Sequence, residues 1–354
     1  MGRSICLILP KYAVSISDPC CYPLGFMHVS SHLKALGHEV KVLNFNLWSY
    51  DLAEEMKGCD LACFTGSDEF FEFNRDASLL ALKMDLETWW GGAMATFAPE
   101  KLVSYCDTVY RGEIDAEIPI DEIPWPDYEA FGIDEYHRRH DRRYMGVLTS
   151  RGCPFNCTFC AQVGEYRERD LARVKEEIEH YIAKYGIDML IFNDNTLNAK
   201  KSRFMQVCDI MKEFKIEWSA AIRADVMDEE MAIAAKASGC TYFVIGIESF
   251  RQNRLDRMNK KLRVEDIRRT LDLLHRYKIG YHGNIMLGLD GETQADIAQE
   301  VAELPSGYNL FPVLAQTFAG TKVRSCLTKD ERTHLNGLFT EYAQERGMGV
   351  YPLT

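Results

Sequence analysis

Three cysteines lie within eight residues of the sequence, in the stretch SRGCPFNCTFCAQ (150–162). They are Cys153, Cys157 and Cys160, in the spacing C-x3-C-x2-C, and Phe159 comes just before the last thiol. Three thiolates on one loop can bind zinc or an iron–sulfur cluster. Zinc sites usually take four ligands from paired C-x2-C units, and the chain has no second pair of this kind. A [4Fe-4S] cluster held by three thiolates keeps one iron open for a substrate or cosubstrate.

The cysteine stretch belongs to a long alternation of strand and helix signals. Apolar strand signals occur at 144–152, 188–195, 217–224, 241–249, 280–288 and 311–318. The helical pattern over 171–186 ends at Gly186, a typical helix C-cap. Six strands separated by helical segments predict an open, partial (β/α)6 barrel, with functional residues at the carboxyl ends of the strands.

The N-terminal part of the chain carries a second alternation. Strands are predicted at 5–10, 39–46, 60–66, 87–92 and 107–113, and helices at 23–38 and 99–105. This pattern is typical of a Rossmann-like α/β fold, a parallel sheet with helices on both faces. We predict a Rossmann-like domain over 1–118, a linker over 119–145, the partial barrel over 146–322 and a short tail over 323–354.

Composition narrows the function classes. The chain has 354 residues, enough for two domains, and is 47% hydrophobic and 27% charged. Its net charge of −12 disfavours stable coating of nucleic acid, which needs a basic surface. We found no apolar stretch of the ~20 residues that a membrane span needs, and no signal-peptide pattern. The expectation is a cytoplasmic protein whose twelve cysteines are reduced.

The cysteine loop, placed after the first strand of a partial barrel, resembles that of the radical S-adenosylmethionine (SAM) superfamily. The resemblance implies that Cys153, Cys157 and Cys160 ligate the cluster and that Phe159 contacts the adenine of SAM. In that family the amino and carboxylate groups of SAM chelate the fourth iron. An electron, delivered by a flavodoxin- or ferredoxin-type donor, cleaves SAM to methionine and a 5′-deoxyadenosyl radical, which abstracts hydrogen from a substrate.

Further stretches resemble the same family. In FNDNTLN (192–198) the acidic loop residue is Asp194, and in AAIRAD (220–225) Arg223 would pair with the SAM carboxylate. In VIGIES (244–249) Glu248 and Ser249 would face the ribose and methionine of SAM, and IMLGLDGET (285–293) contributes Gly288. The sixth-strand loop would be TFAGT (317–321). The family commonly has proline where this chain has Asp290 and Ala319.

Structural roles are the alternatives for these residues. Arg223 and Glu248 end apolar strands, where a buried charge needs a partner, so each could form a structural salt bridge. Asp194 could be a helix N-cap or turn residue. Gly288 could serve only a turn. The sequence assigns no acid or base to the substrate.

The N-terminal part resembles the subfamily with a cobalamin-binding domain, through PLGFMHVSSHLKALGHEVKVLN (23–44), Gly91–Gly92 and VYRGE (109–113). Many of its members methylate unactivated carbon or phosphorus, and others catalyse rearrangements. The D-x-H-x2-G signature for an axial histidine is absent, and His28 and His32 are a conceivable metal pair by spacing alone. Two alternatives remain: a cobalamin site, or a scaffold whose space is filled by aromatic residues, namely Trp89, Trp90, Phe70, Phe71 and Phe73.

Three function classes follow. The leading hypothesis is a radical SAM enzyme, a methyltransferase if cobalamin is bound and otherwise an isomerase or mutase acting on a small molecule or nucleotide. The second is a non-catalytic iron–sulfur or zinc protein. The third is a nucleic-acid-modifying enzyme, because residues 251–278 carry 10 Lys and Arg against 4 Asp and Glu. Within this run LRVEDIRRTLDLLHRYK (262–278) predicts a helix whose basic face either contacts phosphate or is simply solvated. An arginine-rich run at 137–143 is either a solvated charge run or an anion clamp.

Overall fold

The computed structural model describes residues 2–11, 22–66, 70–140, 142–161 and 164–315. The chain divides into two compact units. The first comprises Met1–Gly146 and Ala161–Asp188, and the second comprises Val147–Cys160 and Met189–Thr354. No helix within the described ranges is long and apolar enough to cross a membrane.

A five-stranded sheet forms the core of the described part of the first unit. Its strands are β1 Ser4–Leu9, β2 Glu39–Asn44, β3 Leu61–Thr65, β4 Glu87–Gly91 and β5 Thr108–Val109. They pair in parallel in the order β2-β1-β3-β4-β5, so the strand order reverses between β1 and β3. The central strand β1 is buried from Ile5 to Leu9, as its continuous apolar run requires. The predicted Rossmann-like sheet is confirmed.

Helices connect these strands. They are α1 Leu24–Ala35, α2 Leu52–Glu55, α3 Phe71–Lys83 and α4 Gly92–Phe97. Helix α1 ends just before Gly37, whose φ of +84° stops it as predicted. The helix predicted over 99–105 is wrong, because only a 3-10 turn forms at Pro99–Lys101. Tyr105 instead packs on Phe71 and accepts a hydrogen bond from Ser78 Oγ, so tertiary contacts override the local pattern.

The segment 119–145, predicted as a linker, contains α5 Ile133–Arg139. Tyr128 is buried, and its hydroxyl bonds both the carbonyl and the amide of Gly146, at 2.7 and 2.9 Å. In the arginine-rich run, Arg139 Nη2 donates to Leu47 O at 2.6 Å, and His137 Nε2 contacts Tyr144 O at 3.0 Å. These side chains serve the fold of the first unit.

The second unit is built on a parallel sheet. Its strands are β9 Met189–Phe192, β10 Glu217–Ile222, β11 Cys240–Glu248, β12 Gly280–Leu287 and β13 Leu310–Leu314. Three shorter strands precede them in the chain: β6 Tyr144–Val147, β7 Ser150–Arg151 and β8 Arg167–Glu168, of which β8 lies in the first unit. The order is β13-β12-β11-β10-β9, and β6, whose last residue opens this unit, continues the sheet beside β9. The predicted partial (β/α)6 barrel is confirmed through β13. The sixth-strand loop TFAGT and the tail lie outside the described residues.

Helices alternate with these strands along the chain. They are α6 Leu171–Tyr185, which belongs to the first unit, and α7 Lys201–Phe214, α8 Glu229–Ala237, α9 Gln252–Arg257, α10 Val264–Arg276 and α11 Gln294–Ala302 of the second. Helix α6 ends at Gly186 in the left-handed conformation, as predicted. In the core of the second unit, buried Trp218 packs edge-on against Phe192 and Phe243.

Candidate functional site

The cysteine loop begins where the predicted strand 144–152 breaks. That strand is not continuous: β6 ends at Val147 and β7 begins at Ser150. The break is set by Asp194, a buried residue that accepts hydrogen bonds from Thr149 N at 2.9 Å, Thr149 Oγ1 at 2.8 Å and Ser150 Oγ at 2.5 Å. Burial raises the pKa of Asp194, and the bonds from Ser150 and Thr149 oppose this shift. Asp194 therefore fixes the backbone that enters the loop.

Residues 258–261, which we call the clasp, hold the far end of the loop. Thr158 N donates to Met258 O at 3.0 Å, and Asn259 Nδ2 donates to Asn156 O at 2.6 Å. Hydrogen bonds to other segments of the second unit thus hold both ends of the loop. Gly152, with φ of +73°, provides the left-handed turn before the first thiol.

Of the three loop cysteines, Cys153 and Cys157 are half-buried and Cys160 is exposed. The Cys153 thiol lies 3.8 Å from Thr196 Oγ1, and Arg223 Nη1 lies 4.0 Å from Cys157 Sγ. Desolvation raises the pKa of Cys160, and the neighbouring Cys157 and Cys153 thiols raise it further. In the described ranges no three His, Cys, Asp or Glu side chains already form a ligand set for a single metal ion. The donor set suits an iron–sulfur cluster: three thiols on one loop, two of them next to hydrogen-bonding groups.

Arg223 follows β10 and is the best-fixed charge of the site. Its guanidinium makes two 3.0 Å bonds to Asp225 and stacks 3.8 Å from the ring centroid of Phe155, on the cysteine loop. It also donates to Lys260 O at 2.7 Å. The Asn198 side chain makes two hydrogen bonds to the Arg223 backbone. Its Oδ1 accepts from the Arg223 amide at 2.8 Å, and its Nδ2 donates to the Arg223 carbonyl at 2.9 Å. Residues of the chain itself therefore hold the arginine beside the Cys157 thiol.

Glu248 ends β11 in an unusual backbone conformation. Its φ is +69°, and the register with β12 shifts between Gly246 and Glu248. Its carboxylate forms an ion pair with Lys260 Nζ at 2.9 Å, with both side chains less than a tenth exposed. Lys260 Nζ also lies 5.4 Å from the ring centroid of Phe159. A Cβ on Gly246 would come within 2.7 Å of Glu248 Oε1 and 2.8 Å of Lys260 Nζ, so a side chain at position 246 would force the ends of this pair to shift.

Ser249 and Gly288 belong to a second buried network. Ser249 Oγ donates to Glu300 Oε1 at 2.5 Å, and Arg254 pairs with Glu300 at 3.0 Å and with Glu292 at 2.7 Å. The Gly288 amide donates to Glu292 Oε2 at 3.1 Å. These contacts shape the loop between β12 and α11.

The structure brings together part of the predicted site. The residues around the cysteine loop are Cys153, Cys157, Cys160, Phe159, Arg223 and Glu248. Asp194 lies behind them as a support, while Ser249 and Gly288 join the network of Arg254. The sequence reasoning missed Lys260, because it stands in the basic run 251–278, where charge alone does not distinguish it from its neighbours. It also missed Asn198, although this residue closes the FNDNTLN stretch that was singled out.

The helix with a basic face predicted within the basic run 251–278, LRVEDIRRTLDLLHRYK (262–278), is present as α10. Two helices form, α9 and α10, with the clasp between them. Arg254 and Lys260 are buried in ion pairs, and Arg269 pairs with Asp266. Much of the apparent positive charge is therefore neutralised by carboxylates of the fold.

Comparison with known families identifies the class of protein. Residues 147–304 match the model of the Radical SAM superfamily. The predicted resemblance is confirmed for this part of the chain: residues 147–304 form a radical SAM domain, of a superfamily that uses SAM and a [4Fe-4S] cluster.

Curated relatives extend the likeness beyond the barrel. The chain is 26% identical to an uncharacterized methyltransferase of Pyrococcus horikoshii, over 90% of this chain and 82% of that protein. It is 25% identical to the bacteriochlorophyllide d C-12(1)-methyltransferase of Chlorobaculum tepidum, over 65% of this chain and 58% of that protein. It is 27% identical to the anaerobic magnesium-protoporphyrin IX monomethyl ester cyclase of Rubrivivax gelatinosus, over 55% of this chain but only 37% of that protein.

Solved structures share the fold. The methyltransferase TsrM of Kitasatospora setae, with tryptophan and a SAM analogue bound, superposes with a TM-score of 0.72 at 18% identity, over 91% of this chain and 75% of that chain. The cobalamin-dependent SAM radical enzyme OxsB, with aqua-cobalamin bound, gives a TM-score of 0.68 at 16% identity, over 85% of this chain and 52% of that chain. The chain therefore has the fold of the subfamily that carries an N-terminal cobalamin-binding domain.

Proposed function

We propose that this enzyme holds a [4Fe-4S] cluster on Cys153, Cys157 and Cys160, binds SAM with Arg223 and Glu248, and transfers a methyl group with the help of cobalamin. The observation that carries the SAM site is the guanidinium of Arg223, fixed 4.0 Å from the Cys157 thiol. When bound, the cluster supplies the electron that cleaves SAM reductively. Electrons would come from a flavodoxin- or ferredoxin-type donor.

The residues of the chain have distinct tasks in this proposal. Arg223 presents a fixed positive charge to the carboxylate of SAM, because Asp225 and Phe155 hold its guanidinium in place. Glu248 accepts hydrogen bonds from the ribose, and Phe159 contacts the adenine. Asp194 acts only on the loop backbone. Such preorganisation lowers the cost of ordering the cosubstrate.

The first unit supports a cobalamin site on two grounds. In a sheet of order 2-1-3-4-5 the ligand crevice lies at the carboxyl ends of β1 and β3, and a Cβ on Gly91, at the neighbouring end of β4, would meet open space. Trp90, considered as a filler of this space, turns into the core, where it packs on Phe64 and donates to Ser78 Oγ at 3.0 Å.

The first histidine of the pair is engaged in the fold of the first unit. His28 Nδ1 contacts Pro124 O at 3.1 Å, and in the described ranges His28 and His32 take part in no metal-ligand group. We therefore propose binding of cobalamin without a histidine from this pair.

Gly91→Leu tests the cobalamin site. Gly91 has φ of −122°, which any residue adopts, so the variant should fold. We expect wild-type protein, produced with the vitamin, to retain stoichiometric cobalamin by absorbance, and the variant to lose most of it. Gly25→Leu, also in open space but at an exposed position of α1, is the control. Wild-type protein that keeps no cobalamin would contradict this part of the proposal.

Methyl transfer is supported by the relatives that are named methyltransferases, one of which aligns over nine-tenths of this chain. With methyl-labelled SAM, we expect label in the protein-bound cobalamin fraction. The second candidate is a cobalamin-independent rearrangement or ring-forming reaction, favoured by the likeness to the cyclases. It predicts 5′-deoxyadenosine with no label transfer. In both cases the substrate class is a small molecule or nucleotide.

A further inference from the structure

We infer that Lys260 is a positioning residue of the SAM site, acting through Glu248 with its side chain and through Arg223 with its backbone. The inference rests on the proposed function, since it assigns Lys260 to the two residues proposed to hold SAM. Lys260 itself lies in the clasp, next to the residues that hold the cysteine loop. One residue thus connects the loop, the end of β10 and the end of β11.

The side-chain connection is a buried ion pair. Lys260 and Glu248 are 8% and 7% exposed in their side chains, and their charged atoms are 2.9 Å apart. A buried carboxylate that loses its counter-charge is strongly disfavoured in its ionised form. Lys260 therefore orients the Glu248 carboxylate and offsets the cost of burying its charge. The tight fit against Gly246 leaves the pair little freedom to rearrange.

The backbone connection runs to Arg223. The Lys260 carbonyl accepts from Arg223 Nη2 at 2.7 Å, and its amide donates to Leu255 O at 3.0 Å. Its neighbours Asn259 and Lys261 both have left-handed backbones, with φ of +49° and +54°. Such residues cost free energy and persist where surrounding contacts hold them. The left-handed residues of the clasp therefore set the direction of the Lys260 carbonyl, which faces the Arg223 guanidinium.

Lys260→Met separates positioning from bulk stability. The anaerobically reconstituted variant is assayed for iron content, for melting temperature and for SAM affinity by equilibrium dialysis. We expect full iron content and SAM binding weakened by at least about tenfold, because Glu248 is left without its counter-charge. Lys260→Arg should recover most of the affinity. The control is Lys261→Met, the same change one residue along at an exposed position, which should bind SAM as the wild type does.

Glu248→Gln completes a double-mutant cycle. If Lys260 acts through Glu248, the double variant binds SAM no more weakly than whichever of Lys260→Met and Glu248→Gln has the lower SAM affinity. The double variant also keeps the test valid if Lys260→Met folds poorly, since it leaves no unpaired buried charge. Native SAM affinity in Lys260→Met, or additive losses in the double variant, would overturn the inference. Failure of the wild-type protein to bind SAM would instead refute the proposed function.

Discussion

Two buried charged side chains stand at the ends of neighbouring strands of the barrel, and each pairs with a side chain of opposite charge. Arg223 pairs with Asp225, and Glu248 pairs with Lys260. Both could be anticipated as residues needing a partner, since each ends an apolar strand. The partners could not, because Asp225 and Lys260 look like ordinary surface charges in the sequence. The SAM affinity of variants at these positions tests whether the two pairs hold SAM as well as the fold.

Cys157→Ala should abolish the broad absorbance near 400 nm of the reconstituted protein. The reason is that the variant leaves two thiolates, too few to hold the cluster in place. Iron and sulfide analysis provides the second readout. Cys106→Ala, a half-buried cysteine of the first unit, is the control and should keep the absorbance. Full absorbance in Cys157→Ala would remove this residue from the ligand set.

Gly246→Ala should weaken SAM binding while leaving the iron content unchanged. The added methyl group would come within 3 Å of both Glu248 Oε1 and Lys260 Nζ and would push the ion pair apart. Gly25→Ala, where the methyl group meets open space, should have no effect on SAM binding. Equilibrium dialysis of both variants checks this, and equal affinities would show that the pair does not orient SAM.

The loop after β9 is the element that unites the site. Asp194 fixes the entry to the cysteine loop, Thr196 contacts Cys153, and Asn198 holds the Arg223 backbone. The sequence singled out this loop, because FNDNTLN (192–198) resembles the acidic loop of the radical SAM family. It could not show that Asp194 faces Thr149 and Ser150, since that contact joins residues more than forty positions apart.

Asp194→Ala should destabilise the second unit by about 2–4 kcal/mol, because buried donors at Thr149 and Ser150 lose their acceptor. Iron content should also fall, since the entry to the loop is no longer fixed. The control is Asp209→Ala, an exposed carboxylate paired with Lys212 on α7, which should change stability by less than about 0.5 kcal/mol. Denaturant unfolding of both variants measures this. Equal midpoints would contradict the support role of Asp194.

At the scale of the whole molecule, the alternation of strands and helices predicts both sheets, and their order follows the rules for parallel folds. The helix predicted over 99–105 is misplaced, because tertiary contacts decide the structure of that segment. Tyr105 is drawn out of a helix by Ser78 and Phe71, and the basic run at 251–278 is divided by the clasp. Charge counts could not reveal this division, because they ignore the carboxylates that pair with Arg254 and Lys260.

The division of the basic run predicts weak contact with nucleic acid. The double change of Arg268 and Arg269 to alanine should leave the salt dependence of binding to a single-stranded oligonucleotide unchanged, since Arg269 pairs with Asp266 and Arg268 lies over the Phe250 ring. A fluorescence titration at several salt concentrations measures this slope. A slope reduced by one or more would reinstate a phosphate-binding face.

The most direct test of the account is reductive SAM cleavage by the reconstituted chain. Wild-type protein with iron, sulfide, dithionite and SAM should form 5′-deoxyadenosine, measured by chromatography and mass spectrometry, and Cys157→Ala should form none. A wild-type preparation that holds its full iron–sulfur complement and yet makes no 5′-deoxyadenosine would contradict the assignment of the cysteine loop as a site of radical SAM chemistry.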